Sequence, residues 1–259
     1  MPTSQVPFPP TILESFQTAL PRYTGDDFQG DLPDGGNSTM EMQPPAFWYN
    51  LEKFWETRGG EKLNQHSRLL GHLEKEFIYK PEDAISLLVE GDVTRAAAMY
   101  LLHPVNQVLS AIRPGIKCLS EHTTKNIRTD VCYKVGNSTV AVVEFKRKGA
   151  IRPHEFAAAQ RQVKSGTRDW NKQLALAHDT RYGTFFAGNS LRLMKQASNY
   201  AYTERTRHVA LFDWNYLVLI NFHETNRDED FVGNTCRIQI IEDPAEMRLA
   251  LLGFLAMAG

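Results

Sequence analysis

Two runs of alternating polar and apolar residues, joined by a short turn sequence, constrain the fold of this chain most strongly. Residues 127–135 and 139–148 are rich in β-branched and aromatic side chains. Between them, residues 136–138 read Gly-Asn-Ser, which is typical of a tight turn. We therefore predict a β-hairpin whose loop is the three residues 136–138.

The length of this loop decides which side chains face each other. With a three-residue loop, Val135 lies opposite Thr139, and counting back along both strands brings Asp130 opposite Glu144. A two-residue turn would instead place Val143 opposite Asp130 and separate the two carboxylates onto different faces. The register prediction therefore requires an odd-numbered loop.

Asp130 and Glu144 would then share one face of the sheet with Lys146, which lies two residues further along its strand. Two carboxylates at that separation repel each other unless a cation lies between them. Mg²⁺ or Mn²⁺ prefers such oxygen ligands and could activate water against a phosphodiester. The competing interpretation is a solvated face on which these charges simply pair across strands. We favour the metal site.

Thr129-Asp130 and Val143-Glu144-Phe145-Lys146 resemble the motif of the PD-(D/E)xK nuclease superfamily, with threonine in place of the usual proline. The arrangement is also similar to nuclease-like domains found in many fungal proteins. The resemblance implies an α/β restriction-endonuclease-like core of three layers, in which a mixed central sheet is flanked by helices. It further implies a Mg²⁺- or Mn²⁺-dependent nuclease that uses Asp130 and Glu144 as metal ligands and Lys146 to position or activate water.

The same resemblance implies further site residues on neighbouring helices. An acidic ligand is expected on the helix before the hairpin, and Glu90 is the preferred candidate, because Asp92 is better explained as a helix cap. A glutamine is expected on the helix after the hairpin, followed by a tyrosine in some branches of the superfamily. Gln160 is the first candidate, although no such tyrosine follows it, and Gln173 is the rival.

A nuclease must also hold the phosphate backbone, and basic residues follow the hairpin closely. Arg147, Lys148 and Arg152 form one cluster beside the predicted site. A second group recurs at three- and four-residue steps and would form a stripe on one helix face: Arg161, Lys164, Arg168 and Lys172. We predict phosphate contacts for both groups, although a charge run is also typical of a solvated helix face.

The remaining segments divide the chain into an irregular N-terminal arm, residues 1–45, and a nuclease-like domain, residues 46–259. The arm is rich in Pro, Gly and Asp and is expected to wrap the domain or a partner. Hydrophobic periodicity predicts helices over residues 47–57, 63–76, 84–111, 155–166 and 246–258, the third of them broken or re-angled near Gly91 and kinked at Pro104. It predicts strands over residues 116–122, 182–188, 190–196, 209–213, 217–222 and 235–241, the last at a sheet edge. The second and third of these are expected to pair as a hairpin around Gly188-Asn189.

Composition limits the function classes. The formal net charge of −1 gives no general attraction to nucleic acid, so binding must depend on a local basic patch. Three scattered cysteines and the lack of a signal sequence or apolar span predict an intracellular protein, nuclear or cytoplasmic, with no membrane partner. The apolar C-terminal helix is expected to dock on the core, and a homodimer seam is the alternative.

These observations predict a metal-dependent nuclease acting on nucleic acid, with DNA as the expected substrate. Two alternatives stay open. The same fold could be a catalytically silent module that binds nucleic acid or a protein, or a structural protein that self-associates through the C-terminal helix.

Overall fold

The computed structural model describes residues 9–33, 41–83, 85–124, 127–223 and 233–259. Within these residues a seven-stranded mixed sheet separates two layers of helices. The predicted three-layer α/β architecture is therefore confirmed. None of the described helices combines the length and the apolar character that crossing a lipid bilayer demands.

The strand order across the sheet is β1-β7-β6-β5-β4-β3-β2. β4 pairs with β5 in parallel, as does β1 with β7, and the other neighbours are antiparallel. The strands are β1 (Phe47–Asn50), β2 (Ile116–Thr124), β3 (Ile127–Val135), β4 (Ser138–Phe145), β5 (His208–Phe212), β6 (Leu217–Asn221) and β7 (Thr235–Ile241).

Helices cover both faces of the sheet. They are α1 (Phe54–Gln65), α2 (Ser67–Leu70), α3 (Glu90–Ala97), α4 (His103–Ile112), α5 (Pro153–Ala157), α6 (Arg168–His178), α7 (Gly188–Glu204) and α8 (Met247–Met257). A π-helical turn, Ala98–Leu102, joins α3 to α4, and short 3₁₀ turns occur at Glu14–Gln17 and Gly71–Glu74.

The alternation of side chains along each strand produces two separate hydrophobic cores. In β5, Ala210 and Phe212 pack with α4 and α8 on one face, whereas Val209 and Leu211 pack against α7 on the other. β4 is central, and its residues from position 140 to 145 are all buried. This double burial explains why its sequence is a nearly continuous apolar run.

The β3–β4 hairpin reaches the predicted register by a different route. Its turn has two residues rather than three, because Val135 pairs with Ser138 and Lys134 with Thr139. A β-bulge then inserts Val140 as an extra residue, and the pairing continues with Tyr133 opposite Ala141. The prediction of a three-residue loop was wrong, but the bulge restores the register that it required.

The bulge also changes the faces of the first residues of β4. Val140 packs in the same core as Ala141, whereas Val142 packs in the other core. Thr139 lies on the α7 side, where its hydroxyl donates to the carboxylate of Glu204. Regular alternation along β4 would have placed Thr139 on the same face as Ala141, and the bulge is the reason that it does not.

Several element predictions need correction. Residues 47–57 begin as strand β1 before helix α1 starts at Phe54, so β7 is not an edge strand. The helix expected from residue 84 begins at Glu90, and the one expected over residues 155–166 is only the five-residue α5. Residues 188–196, expected to contain a hairpin turn and a strand, belong to the long helix α7.

Helix α7 forms where the sequence suggested a Gly-Asn turn because its N-terminus is capped by another part of the chain. The carboxylate of Glu155 accepts the N–H of Ser190 at 2.9 Å, and the hydroxyl of Ser190 accepts the N–H of Ala187. Gly188 has φ +55°, and a Cβ there would lie 2.7 Å from Glu155. The glycine therefore permits the close approach of the capping carboxylate.

Both ends of the described chain are held by the core. Ile12, Phe16 and Leu20 of the arm are buried against the helices of one face. The apolar residues Met247, Leu251, Leu252 and Leu255 of α8 are fully buried within this same chain. The C-terminal helix thus docks on the core, and the side chains expected for a homodimer seam are already covered.

Candidate functional site

The carboxyl end of β4 brings Glu144 and Lys146 next to the first residue of α3. Lys146 Nζ lies 2.6 Å from Glu144 Oε1 and 3.8 Å from Glu90 Oε2. The backbone N–H of Lys146 donates to the carbonyl of Phe212, which continues the pairing of β4 with β5 and fixes where the lysine starts. Asp92 caps α3, as expected, by accepting the N–H of Val89.

Asp130 joins this group from the neighbouring strand. The backbone pairing of β3 with β4 ends with Val131 opposite Val143, and one further step in the same register brings Asp130 opposite Glu144. Asp130 Oδ2 accepts the backbone N–H of Phe145 at 2.8 Å. This bond orients the carboxylate at the point where the pairing of β3 with β4 ends.

Helix α7 contributes a glutamine and a tyrosine that the sequence analysis missed. Gln196 Nε2 lies 2.9 Å from Glu144 Oε1 and 2.7 Å from the hydroxyl of Tyr200. Residues four positions apart share one face of a helix, so both side chains point at β4. Gln196 therefore occupies the place beside the carboxylates that we had predicted for Gln160.

Burial perturbs the carboxylates of this cluster. Desolvation raises the pKa of Glu144 to about 7, although the nearby Lys146 ammonium acts in the opposite direction. The negative charge of Asp130 adds to the increase. Desolvation likewise raises the pKa of Glu90, whose side chain is 48% exposed. The site therefore concentrates negative charge that is costly to ionise without a counter-ion.

Lys146 remains positively charged despite its burial. Desolvation by itself lowers the pKa of this amine, but the charges of Glu144 and Glu90 outweigh it, and the net pKa is raised. A lysine with a raised pKa holds its proton at neutral pH. It can donate hydrogen bonds and neutralise charge, but it is poorly suited to accept a proton from water.

Access to the cluster is from one side. The side chains of Glu144 and Lys146 are only 6% and 7% exposed, whereas Glu90 is half-exposed and Asp130 is partly exposed. A ligand coming from solvent would therefore meet Glu90 and Asp130 first and reach the buried Glu144 behind them.

The donor set fits a hard divalent cation. Glu144 Oε2 is buried and has no hydrogen-bond partner among the described residues, and such a group costs free energy that a metal–oxygen contact would recover. Glu90 and Asp130 add carboxylate oxygens, which Mg²⁺ and Mn²⁺ prefer. Among the described residues, the carboxylate oxygens of Glu90, Asp130 and Glu144 do not all lie within 4.8 Å of one another. The ammonium of Lys146 lies between Glu90 and Glu144.

Neither predicted glutamine is part of this site. Gln160 forms an isolated bridge with Trp48 of β1, which lies four strands away from β4. At about 4.8 Å per strand this separation is roughly 19 Å, so Gln160 cannot reach Glu144. The side chain of Gln173 on α6 accepts a hydrogen bond from Arg161 instead.

The N-terminal arm covers part of the predicted basic cluster. Lys148 Nζ donates to the carbonyl of Gly25 at 2.9 Å and to the carboxylate of Asp27 at 2.6 Å. The N–H of Phe28 donates to the carbonyl of Lys148, and the guanidinium of Arg147 lies 5.4 Å from the Phe28 ring. The arm therefore wraps the domain, which is one of the two roles expected for it.

Arg152 is engaged by the next residues of the arm. Its guanidinium donates to the carbonyls of Gln29 and Gly30 at 2.9 and 2.6 Å. It also pairs with Glu155 at 3.2 Å and lies 3.8 Å from Asp31. The three basic residues nearest the site thus contact the protein's own oxygens or aromatic ring, so phosphate contacts there would have to compete with the arm.

The second basic group is not a single helix face. Arg161 and Lys164 lie in the irregular segment before α6, and only Arg168 and Lys172 are helical. Lys164, Arg168 and Lys172 are exposed, but α6 packs at the β1 edge, roughly 20 Å from β4. They remain predicted phosphate contacts only for a ligand that extends that far.

Arg161 has a structural role. Its guanidinium lies 4.0 Å from the ring of Phe185 and donates to Gln173 and to the carbonyl of Ala158. Desolvation lowers its pKa. These contacts hold the segment between α5 and α6 in place, which explains why Arg161 is not available as part of an exposed stripe.

One signal in the sequence could have identified Gln196. It is separated by four residues from Tyr200, a spacing that places two side chains on one helix face. Gly188-Asn189 obscures this signal, because the pair is typical of a hairpin turn and predicts a strand for the residues that follow. The helix becomes evident only with its cap from Glu155.

Comparison with models of protein families, with curated proteins and with solved structures finds no match to this chain. Its chemistry must therefore be inferred from the residues of the site themselves.

Proposed function

We propose that this protein is a Mg²⁺- or Mn²⁺-dependent nuclease that hydrolyses phosphodiester bonds, with DNA as the expected substrate. The single observation that carries the proposal is the convergence of Asp130, Glu144, Lys146 and Glu90 where the carboxyl end of β4 meets β3 and the first turn of α3. The resemblance to the PD-(D/E)xK superfamily supports the same assignment.

In this proposal the three carboxylates hold the cation and the lysine acts on the substrate side. A bound Mg²⁺ would supply an acidified water and polarise the phosphate. Glu144 and Asp130 provide inner oxygen ligands, and Glu90 provides a third at the open side. Lys146, as an ammonium, orients the attacking water or stabilises the charge that develops on the phosphate.

Gln196 acts as a positioning residue. Its amide holds Glu144 Oε1, while the buried Oε2 has no hydrogen-bond partner among the described residues and would be the oxygen that binds a cation. Groups that orient a metal ligand usually change metal affinity or activity about 10- to 100-fold when removed.

The test is cleavage of supercoiled plasmid and of single-stranded DNA and RNA with Mg²⁺ or Mn²⁺, using EDTA as the blank. Asp130→Asn and Glu144→Gln preserve side-chain size and are expected to reduce cleavage by about 100-fold or more. Glu61→Gln is the matched control, because this carboxylate pairs with Arg58 on α1, away from the cluster. Urea denaturation of each variant establishes that it is folded.

Cleavage by the wild type and Glu61→Gln, lost in both site variants, supports the proposal. Folded wild-type protein that cleaves none of these substrates with either metal would overturn it, and so would activity retained in both site variants.

The second candidate is a silent module that binds nucleic acid or a protein without cutting. The burial of Glu144 and Lys146, together with the arm across Lys148 and Arg152, favours this candidate. Anisotropy of labelled DNA distinguishes the two functions, since the module would bind DNA in EDTA and leave it intact when metal is added.

A further inference from the structure

A second cluster of ligand-type side chains lies on the α7 side of the sheet, apart from the carboxylates. His122 of β2, Cys132 of β3 and Glu204 at the end of α7 place one ligand atom each within 4.8 Å of the others. His122 Nε2 lies 4.0 Å from Glu204 Oε2. Three segments that are distant in sequence therefore present nitrogen, sulfur and oxygen donors to one small volume.

Cys132 and Glu204 are buried, and one carboxylate oxygen of Glu204 has no hydrogen-bond partner among the described residues. Cys132 is fully buried, and the side chain of Glu204 is only 3% exposed. Thr139 donates to Glu204 Oε2 at 2.8 Å, but the buried Oε1 has no hydrogen-bond partner within the described chain. An unpaired oxygen of a buried carboxylate is costly, and a bound cation would remove that cost.

The imidazole nitrogen of His122 nearest to Glu204 lies beside an ammonium group. Lys134 Nζ lies 2.9 Å from His122 Nε2, and the hydroxyl of Thr124 lies 3.0 Å from it. An ammonium group can only donate, so Nε2 accepts from Lys134 in this structure, and a cation that binds there would take the place of that ammonium. In this structure Lys134 supplies the positive charge that faces the donors.

We propose that His122, Cys132 and Glu204 form a second cation site, selective for Zn²⁺ or a similar borderline-soft ion. Imidazole and thiolate are the ligands that distinguish Zn²⁺ from Mg²⁺, and three protein ligands plus water complete a tetrahedral shell. Ligands at zinc distances lie roughly 3.3–3.8 Å apart in that geometry. The 4.0 Å His122–Glu204 distance is close to this range.

An ion can reach the cluster from solvent past His122, and movement of Lys134 would let the three ligands approach one another. His122 is 24% exposed, and the long side chain of Lys134 can swing out to solvent when a cation takes its place. Desolvation raises the pKa of the Cys132 thiol, so binding must release its proton. The bound ion would tie the β2–β3 edge hairpin to the end of α7.

This site is independent of the proposed nuclease centre. Glu204 follows Gln196 by eight residues on α7, which corresponds to about 12 Å along the helix axis. The carboxylate cluster contains only oxygen donors, whereas this cluster contains one thiol and one imidazole. The sulfur ligand also gives a spectroscopic signal that the oxygen site lacks.

The experiment is a titration of the full chain with Co²⁺, which replaces zinc and gives a thiolate-to-cobalt charge-transfer band in the near ultraviolet. One equivalent should produce this band in the wild type, and Zn²⁺ but not excess Mg²⁺ should remove it. Cys132→Ser should abolish the band and weaken Zn²⁺ binding more than about 100-fold. Cys118→Ser, which changes an exposed cysteine of β2, is the matched control and should leave the band unchanged.

Because Cys132 is buried, a second variant guards against a folding defect. His122→Ala changes a partly exposed residue, so it should keep the fold and lower the affinity for Zn²⁺ without loss of thermal stability in EDTA. Absence of the band in the wild type, or its persistence in Cys132→Ser, would overturn the proposal. Neither result depends on cleavage activity.

Discussion

Replacing Lys146 by methionine tests the electrostatics of the carboxylate cluster directly. Methionine has a similar length and fills the same volume, but it removes the ammonium that lies 2.6 Å from Glu144 Oε1. Glu144 would then be a buried carboxylate whose charge is opposed by that of Asp130 and balanced only by a bound metal. The loss of stability should therefore depend on whether Glu144 is ionised.

The magnitude follows from the pKa of Glu144. Burial raises this pKa from 4.5 to about 7 even with Lys146 present. The difference, 7 minus 4.5, corresponds to about 3 kcal/mol, since each pH unit is about 1.36 kcal/mol. A raised pKa in the folded state means that stability is full below about pH 4.5 and declines as the pH rises through about 7.

Removing Lys146 raises the pKa of Glu144 further and makes this decline steeper. Below the folded-state pKa the protonated Glu144 needs no counter-charge, and we expect a loss of about 1 kcal/mol or less from packing. Near pH 8.5, about 1.5 pH units above the wild-type pKa, the further loss should reach about 2 kcal/mol, since the variant's Glu144 stays harder to ionise than that of the wild type. With saturating Mg²⁺ or Mn²⁺, about 3 kcal/mol should be recovered at 100 times the dissociation constant.

Urea denaturation of the wild type and Lys146→Met in EDTA, near pH 5 and near pH 8.5, measures the loss of unfolding free energy at each pH. A third series near pH 8.5 contains Mg²⁺ or Mn²⁺ in place of EDTA. Lys148→Met is the matched control, because Lys148 pairs with the half-exposed Asp27, whose pKa is lowered. The stability lost in Lys148→Met should therefore be below about 1 kcal/mol and equal at both pH values. An equal loss for Lys146→Met near pH 5 and pH 8.5 would refute the reasoning.

Three further results are expected. Affinity for Mg²⁺ or Mn²⁺ should rise between about pH 6 and pH 8 as Glu144 loses its proton, and calorimetry that shows no proton release would contradict this. Gln196→Ala should weaken metal binding about 10- to 100-fold with little change in stability, as measured by the same calorimetry, and an unchanged affinity would argue against a positioning role. Asp27→Ala should free Lys148 and tighten the binding of labelled DNA in anisotropy measurements at low salt. The neighbouring Asp26→Ala is the control and should act only through net charge. Equal effects of the two variants would show that the arm does not compete with DNA for Lys148.

The prediction of the hairpin illustrates how far local pattern extends. The alternation of side chains and the turn sequence placed Asp130 and Glu144 on one face, and the structure brings them into that register. The loop itself was predicted with the wrong length, because a β-bulge at Val140 leaves no clear mark in an apolar run. The two-residue turn and the bulge at Val140 together give the same strand register as the predicted three-residue loop.

Helix α7 illustrates where local pattern fails. A Gly-Asn pair favours a hairpin turn in isolation, although the residues that follow it, Ser190 to Gln196, are mostly helix formers. The helix is favoured by a capping carboxylate from Glu155, which is 35 residues away in the chain. The prediction of Gln160 rather than Gln196 as the site glutamine followed from this error.

The sequence by itself determined the α/β class and the shared face of the acidic pair and the lysine, because side-chain alternation and hairpin adjacency are local properties of neighbouring residues. Only the tertiary structure decided which glutamine contacts Glu144, which cations the arm covers, and that His122, Cys132 and Glu204 meet. Those contacts join segments far apart in the chain, and their geometry depends on how the helices and strands pack together, which no local pattern specifies.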